Sequence, residues 1–147
     1  MTMDVELQQS IEQYIAQHPG LRLVATDEGN RLCKQVAARF NFPEGSSWWW
    51  ESLPQGTFSS AYVGDESFDK LRELLPNASV PMFMFVTDDE PPPWQGIAGG
   101  KDDLIELLRE QRFFEYWITD GEGRWIVFDT HHNTLLAAGD GLRTRSE

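Results

Sequence analysis

The feature that most narrows the possible folds lies near the end of the chain. Two apolar runs, "FFEYWIT" and "RWIVFDT", flank the tetrapeptide Asp120-Gly121-Glu122-Gly123. Short aromatic and β-branched runs bounded by turn residues read as strands, and a turn-forming linker between two of them reads as a hairpin. "NTLLAAG" supplies a third run, so the C-terminus is predicted to be a β-meander. Upstream, "VPMFMFVTD" reads as a buried strand between turn signals, and "LRLVAT" (21–26) as a brief alternating strand.

Helical periodicity dominates the earlier chain. Leu7, Ile11, Tyr14 and Ile15 form one apolar stripe, with Asp4 as N-cap and Pro19-Gly20 as the stop. A second helix is predicted over about 28–40, with Leu32, Val36 and Phe40 at four-residue spacing. Cys33 sits beside that stripe and reads as a small packing residue rather than a nucleophile. "SFDKLRELL" places Phe68, Leu71, Leu74 and Leu75 on one side, and "KDDLIELLREQRFF" is the clearest helix, with Leu104, Leu107 and Leu108 aligned. The segment 41–60 and the stretch "DDEPPPWQGIAGG" are expected to be irregular, because Pro and Gly interrupt them. Helices early and strands late predict an α+β fold: helices packed on one face of a mainly antiparallel sheet, residues 1–147 forming a single domain.

Charge narrows the function classes. In 147 residues, 24 acids against 12 bases give a net of −12. Such a surface repels phosphate, so direct nucleic-acid or anionic-membrane binding is not expected, whereas a basic protein is attracted. Solubility alone also explains an acidic surface. One cysteine excludes an internal disulfide and a cysteine-based zinc site. The N-terminus lacks a basic start followed by an apolar run, and no apolar run is long enough to span a bilayer, so a cytoplasmic protein is expected.

Three stretches carry candidate sites, each with a plain structural alternative. The first is "SWWWES". If it is extended, Trp48 and Trp50 face one way and Trp49 the other. One side then anchors the loop to the core, and the other is free to contact a partner. The second is "FDTHHN", where Asp129 and His131 share one side of a strand, as an orienting carboxylate with a general base or as two metal ligands, with His132 adjacent. The alternative is a hydrogen-bonded strand-end turn. No third donor is selected by spacing, so neither a metal nor a cofactor is expected, and no complete catalytic set is assigned. The third is the acidic margin of the proline loop, where Asp88, Asp89, Glu90, Asp102 and Asp103 bracket an exposed loop carrying Trp94 as an aromatic anchor for a basic partner; a solvated loop plus an acid-favouring helix N-terminus is the alternative. "GIAGG" is not a phosphate loop, because acids follow it instead of Lys-Ser/Thr.

The C-terminal third also resembles a family of small bacterial proteins of unknown function. The resemblance is carried by Phe114, Glu115, Tyr116, Trp117, Ile118, Trp125, Ile126, His131 and His132, and it brings no established chemistry. In size, acidity and aromatic loops the chain is similar in general character to cytosolic immunity proteins, which neutralise antibacterial toxins. The expected function is therefore an acidic binding protein that masks a basic partner, with Trp48, Trp49, Trp50, Asp88, Asp89, Glu90 and Trp94 in contact. The alternative is a small hydrolase or metal-dependent enzyme using Asp129 with His131 or His132.

Overall fold

The computed structural model describes residues 5–43, 49, 53, 58–77, 81–88, 92–111, 114–130, 133–140 and 142. Its seven strands are β1 (Arg22–Leu23), β2 (Phe58–Ala61), β3 (Met82–Val86), β4 (Gln95–Gly99), β5 (Tyr116–Thr119), β6 (Trp125–Thr130) and β7 (Thr134–Gly139). They form one sheet in the order β1-β4-β3-β5-β6-β7-β2, antiparallel at every pairing. The α+β class and the C-terminal meander β5-β6-β7 are as the sequence predicts. Both edge strands are short, which limits the unpaired backbone the sheet presents.

Strand alternation sends side chains to two separate cores. Met82, Met84 and Val86 of β3 join Leu7 and Ile11 of α1 (Val5–Ala16), Leu71 and Leu74 of α3 (Glu66–Leu74), and Leu104, Ile105, Leu107 and Leu108 of α4 (Lys101–Glu110). Phe83 and Phe85 point the other way, to Leu32 and Val36 of α2 (Thr26–Phe40) and a group of aromatic rings. The helices therefore do not share one face: three cover one side, and α2 covers the other. Because both faces are covered, β3 is buried along its whole length and reads as a continuous apolar run. Lys101, at the start of α4, ties α3 to α4. Its ammonium donates to the carbonyls of Arg72 and Leu75 at 2.9 Å each, satisfying acceptors at the C-terminal end of α3.

The predicted turn forms as read. Asp120 Oδ1 accepts from the backbone N–H groups of Glu122 and Arg124, both at 3.0 Å, and Arg124 Nε donates to Asp120 Oδ2 at 2.7 Å. Gly123 takes φ +68°, a left-handed conformation suited to glycine. Burial opposes ionisation of Asp120, but the hydrogen bonds from Arg124 and Glu122 outweigh it and hold the carboxyl below its ordinary range.

Two further expectations are corrected. Residues 95–99, predicted to be irregular, are strand β4, paired with both β1 and β3. A Cβ at Gly96 would lie 2.9 Å from Phe85 Cε1 and 3.1 Å from Val24 Cβ, so glycine there admits its neighbours rather than breaking the strand. Strand β2 arises inside the segment predicted to be loop; its partner β7 lies more than 70 residues away and is invisible to local pattern. Asp4 lies outside the described residues.

Candidate functional site

Hairpin register builds the site. Tyr116 on β5 stands directly opposite Asp129 on β6, and Asp129 is in turn opposite Leu135 on β7. Alternation along β6 turns Asp129 toward the side that carries Trp125 and Val127, under α3 and α4. Tyr62 arrives just past β2, where its backbone N–H donates to the Asn133 carbonyl at 3.0 Å. Its hydroxyl donates to Asp129 Oδ1 at 2.5 Å, and the Tyr116 hydroxyl is a second hydrogen-bond partner of the same carboxylate.

These groups lie at the bottom of a pocket of about 430 Å³. Asp129 is 4% exposed, and Tyr62, Tyr116 and Phe114 are also buried. Phe68, Leu108 and Phe114 give the pocket apolar walls, while the exposed Asp65, Arg109 and Asn133 form its rim. The Arg109 guanidinium sits 5.1 Å from the centre of the Phe68 ring, a cation–π contact.

Burial pushes the Asp129 carboxyl up to about 6, and the hydrogen bonds from Tyr62 and Tyr116 pull it back only in part. Tyr62 is raised by burial, then by its hydrogen bond to Asp129 and that residue's charge. Tyr116 is raised by burial first and then by the charge of Asp129. Both hydroxyls therefore keep their protons near neutral pH and remain donors. The arrangement can present a fixed, buried carboxylate to a positive group, or exchange a proton close to neutrality.

The other predicted site residues fall elsewhere. Trp49 is 3% exposed and Trp94 9% exposed. Trp49 stacks on Phe42 at 4.9 Å, meets Trp94 edge-on at 5.0 Å, and donates its indole N–H to the Pro43 carbonyl at 3.0 Å. Trp94 is also edge-on to Trp117 at 6.0 Å. The expectation that Trp94 stands exposed on its loop is corrected: β4 begins at the next residue and carries the ring into the α2-side core. Trp49 is anchored in the α2-side core, as at least one tryptophan of the run was expected to be. Neither ring is presented to a partner. Asp88 is half-buried at φ +42°, and its carboxylate accepts from the Glu115 backbone N–H at 3.4 Å. Trp48, Trp50, Asp89, Glu90, His131 and His132 lie outside the described residues. Cys33 packs against the α2-side core, and burial pushes its thiol up to about 12, which suits a packing role. Among the described residues no three His, Cys, Asp or Glu side chains gather as a metal-binding group, and no described helix is long and apolar enough to cross a membrane.

Sequence reasoning singled out Asp129 but paired it with His131. Its described partners are two tyrosines. A hairpin closed by the Asp120–Gly123 turn sets Tyr116 opposite Asp129, so that half of the site had a sequence signal. Tyr62 had none, because β2 docks from far away in the chain.

No family model, curated protein or solved structure matches the chain.

Proposed function

We propose that this protein is an acidic binding module that masks a basic protein partner, the concrete case being an immunity protein that neutralises an antibacterial toxin. The observation that carries this reading is the unequal charge of the helices on the two sides of the sheet. Helices α1, α3 and α4 together hold nine carboxylates against four basic side chains, a net of −5. Helix α2, on the other side, holds two carboxylates against three basic side chains, a net of +1. The acids of α4 also lie beside α1: the Tyr14 hydroxyl is pushed up first by burial and then by the charges of Glu106, Glu110 and Asp103. A one-sided negative field speeds encounter with a basic protein and orients it. Solubility alone would be served equally well by acids on both sides.

Co-expression with each neighbouring reading frame, followed by mass measurement of the purified species, tests the reading. The expected result is a complex with a basic protein whose association slows as salt is raised. A chain that emerges alone at low salt beside every neighbour overturns it.

One observation favours a second reading. A buried carboxyl titrating near 6 at the bottom of a pocket suits proton transfer, so a small hydrolase or metal-dependent enzyme using Asp129 with His131 or His132 is the alternative. Metal analysis of the purified protein and a hydrolysis screen of H131A and H132A separate the two. Bound metal, or turnover lost in these variants, favours the enzyme.

A further inference from the structure

The Asp129 pocket has features that a packing residue does not require. A carboxylate that served only to hold the sheet together could do so without an opening above it. Here a pocket of about 430 Å³ stands over the carboxylate, with aromatic and aliphatic walls. The two tyrosine hydroxyls fix the carboxylate but leave further acceptor positions, since an ionised carboxylate offers about four lone-pair sites. A positive group entering the pocket would meet a preformed, oriented and buried acceptor.

We infer that this pocket is the anchor subsite for one basic side chain of the partner, an arginine guanidinium or a lysine ammonium that pairs with Asp129. The walls suit the rest of such a side chain. Basic side chains lay their methylene stems along apolar surface while the charged head seeks polar partners. Phe68, Leu108 and Phe114 line the stem's path, and Asp129 with its two tyrosines receives the head. The face of Phe68 already accepts a guanidinium, that of Arg109. Charged groups reach the pocket from three directions: Asp65 just before α3, Arg109 from α4, and Asp129 from β6. Among the described lining residues the one cation, Arg109, stays at the rim over Phe68, and Asp65 and Asp129 outnumber it. The carboxylates of α1, α3 and α4 draw a basic surface toward the same side, and the pocket then selects one side chain from it. Charged and aromatic anchors set in buried sites dominate interface energies, whereas rim charges mainly set rates.

This inference rests on the reading of the chain as a binder of a basic protein, and the test separates the two. The probes are N-acetyl-arginine methylamide, N-acetyl-lysine methylamide and, as the neutral isostere, N-acetyl-citrulline methylamide. Each is titrated into the ¹⁵N-labelled full chain at low salt and followed by backbone amide shifts. Saturable shifts at Tyr62, Gly64 and Asn133 are expected with one or both cations and not with citrulline. Nuclear Overhauser contacts are expected between the bound probe's methylenes and the Phe68 ring; they need no variant and so do not depend on one folding. D129N should weaken the cation at least about 30-fold, the effect of leaving one member of a buried charge pair unmatched. Equal binding of citrulline, unchanged affinity in D129N, or no saturable shift with either cation overturns the inference. If the co-expressed complex forms and D129N leaves its affinity unchanged, the pocket assignment fails and the binding module stands. If the cations bind as expected and no protein partner is found, the pocket stands and the binding module fails.

Discussion

The two sides of the sheet are built from different chemistry. On the α2 side, Trp49, Trp94, Trp117, Phe85 and Phe128 pack ring against ring, and Trp117 is fully buried within 4.5 Å of the Phe85 ring centre. Among the described residues the Trp117 Nε1 meets no hydrogen-bond acceptor, a cost that the packing of so large an apolar surface offsets. Among the described residues, the side chains that form this core are apolar, with Cys33 partly buried against it, and the buried carboxylate of Glu115 lies two residues before Trp117. On the opposite side, aliphatic residues fill the space beneath three acidic helices, and a carboxylate lies at one end of it. The difference teaches that the aromatic rings and the acidic helices, which together suggest a single aromatic and anionic binding surface, lie on different sides of the sheet. Rings hold the sheet on one side, and the more acidic helices cover the other.

Four changes would break or sharpen this division. W117A should have the largest effect, a loss of about 3–5 kcal/mol in denaturant unfolding, as for a large aromatic removed from a close-packed core. Binding by the fraction that remains folded should be unaltered. A loss of only a few tenths of a kcal/mol would mean that the rings do not hold the α2 side together.

D129N tests the other side and has the opposite sign. The native carboxyl titrates near 6, above its ordinary 3.8, so the folded state binds the extra proton between those values. Stability from this group is therefore fully present below about 3.8 and is lost as pH rises through about 6. An amide keeps the shape without the charge. The variant should gain about 1–2 kcal/mol over the native chain at pH 7.5, and the gain should vanish by pH 4. Equal pH profiles for the two proteins would show that Asp129 is not held in a costly ionised state.

D120A probes the meander that both sides share. Losing an acceptor for two backbone N–H groups and a guanidinium should cost about 1–2 kcal/mol at neutral pH. Because the Asp120 carboxyl is held below its ordinary value, its contribution is present above that value and fades as pH falls through the lowered one, so the native chain and the variant should converge in acid. Convergence at neutral pH would contradict this account.

The smallest effect on stability should come from E106K/E110K. Both side chains are exposed, and unfolding should change by no more than about 0.5 kcal/mol. Association with a basic partner should nevertheless slow about tenfold at low salt, and the slowing should disappear at high salt. A binding defect that persists at high salt would assign these acids to direct contact rather than steering.

Much of this organisation is local and was therefore legible. The apolar stripes of α1, α2, α3 and α4 and the Asp120–Gly123 turn depend on residues a few positions apart, and they form as the pattern predicts. What escaped depends on contacts across the chain. Gly96 reads as a breaker until Phe85 and Val24 are seen pressing against it. Phe58–Ala61 lacks an apolar alternation of its own and becomes a strand only against β7. Trp94 follows three prolines, which suggests exposure, yet its ring is drawn inward by Trp49 and Trp117. The site divides in the same way. Asp129 and Tyr116 belong to one hairpin and could be aligned by counting from its turn, whereas Tyr62 could not.

The placement of Tyr62 carries a consequence for when the protein becomes competent. It reaches Asp129 only because β2, from the first half of the chain, docks as the outermost strand beside the last one. A chain still emerging from the ribosome, or one cut short before β7, would carry most of its acidic residues without a finished cleft. On the binding reading proposed above, tight capture would thus begin only once β7 lies beside β2, and whatever then occupied the cleft would help keep the sheet's margin closed.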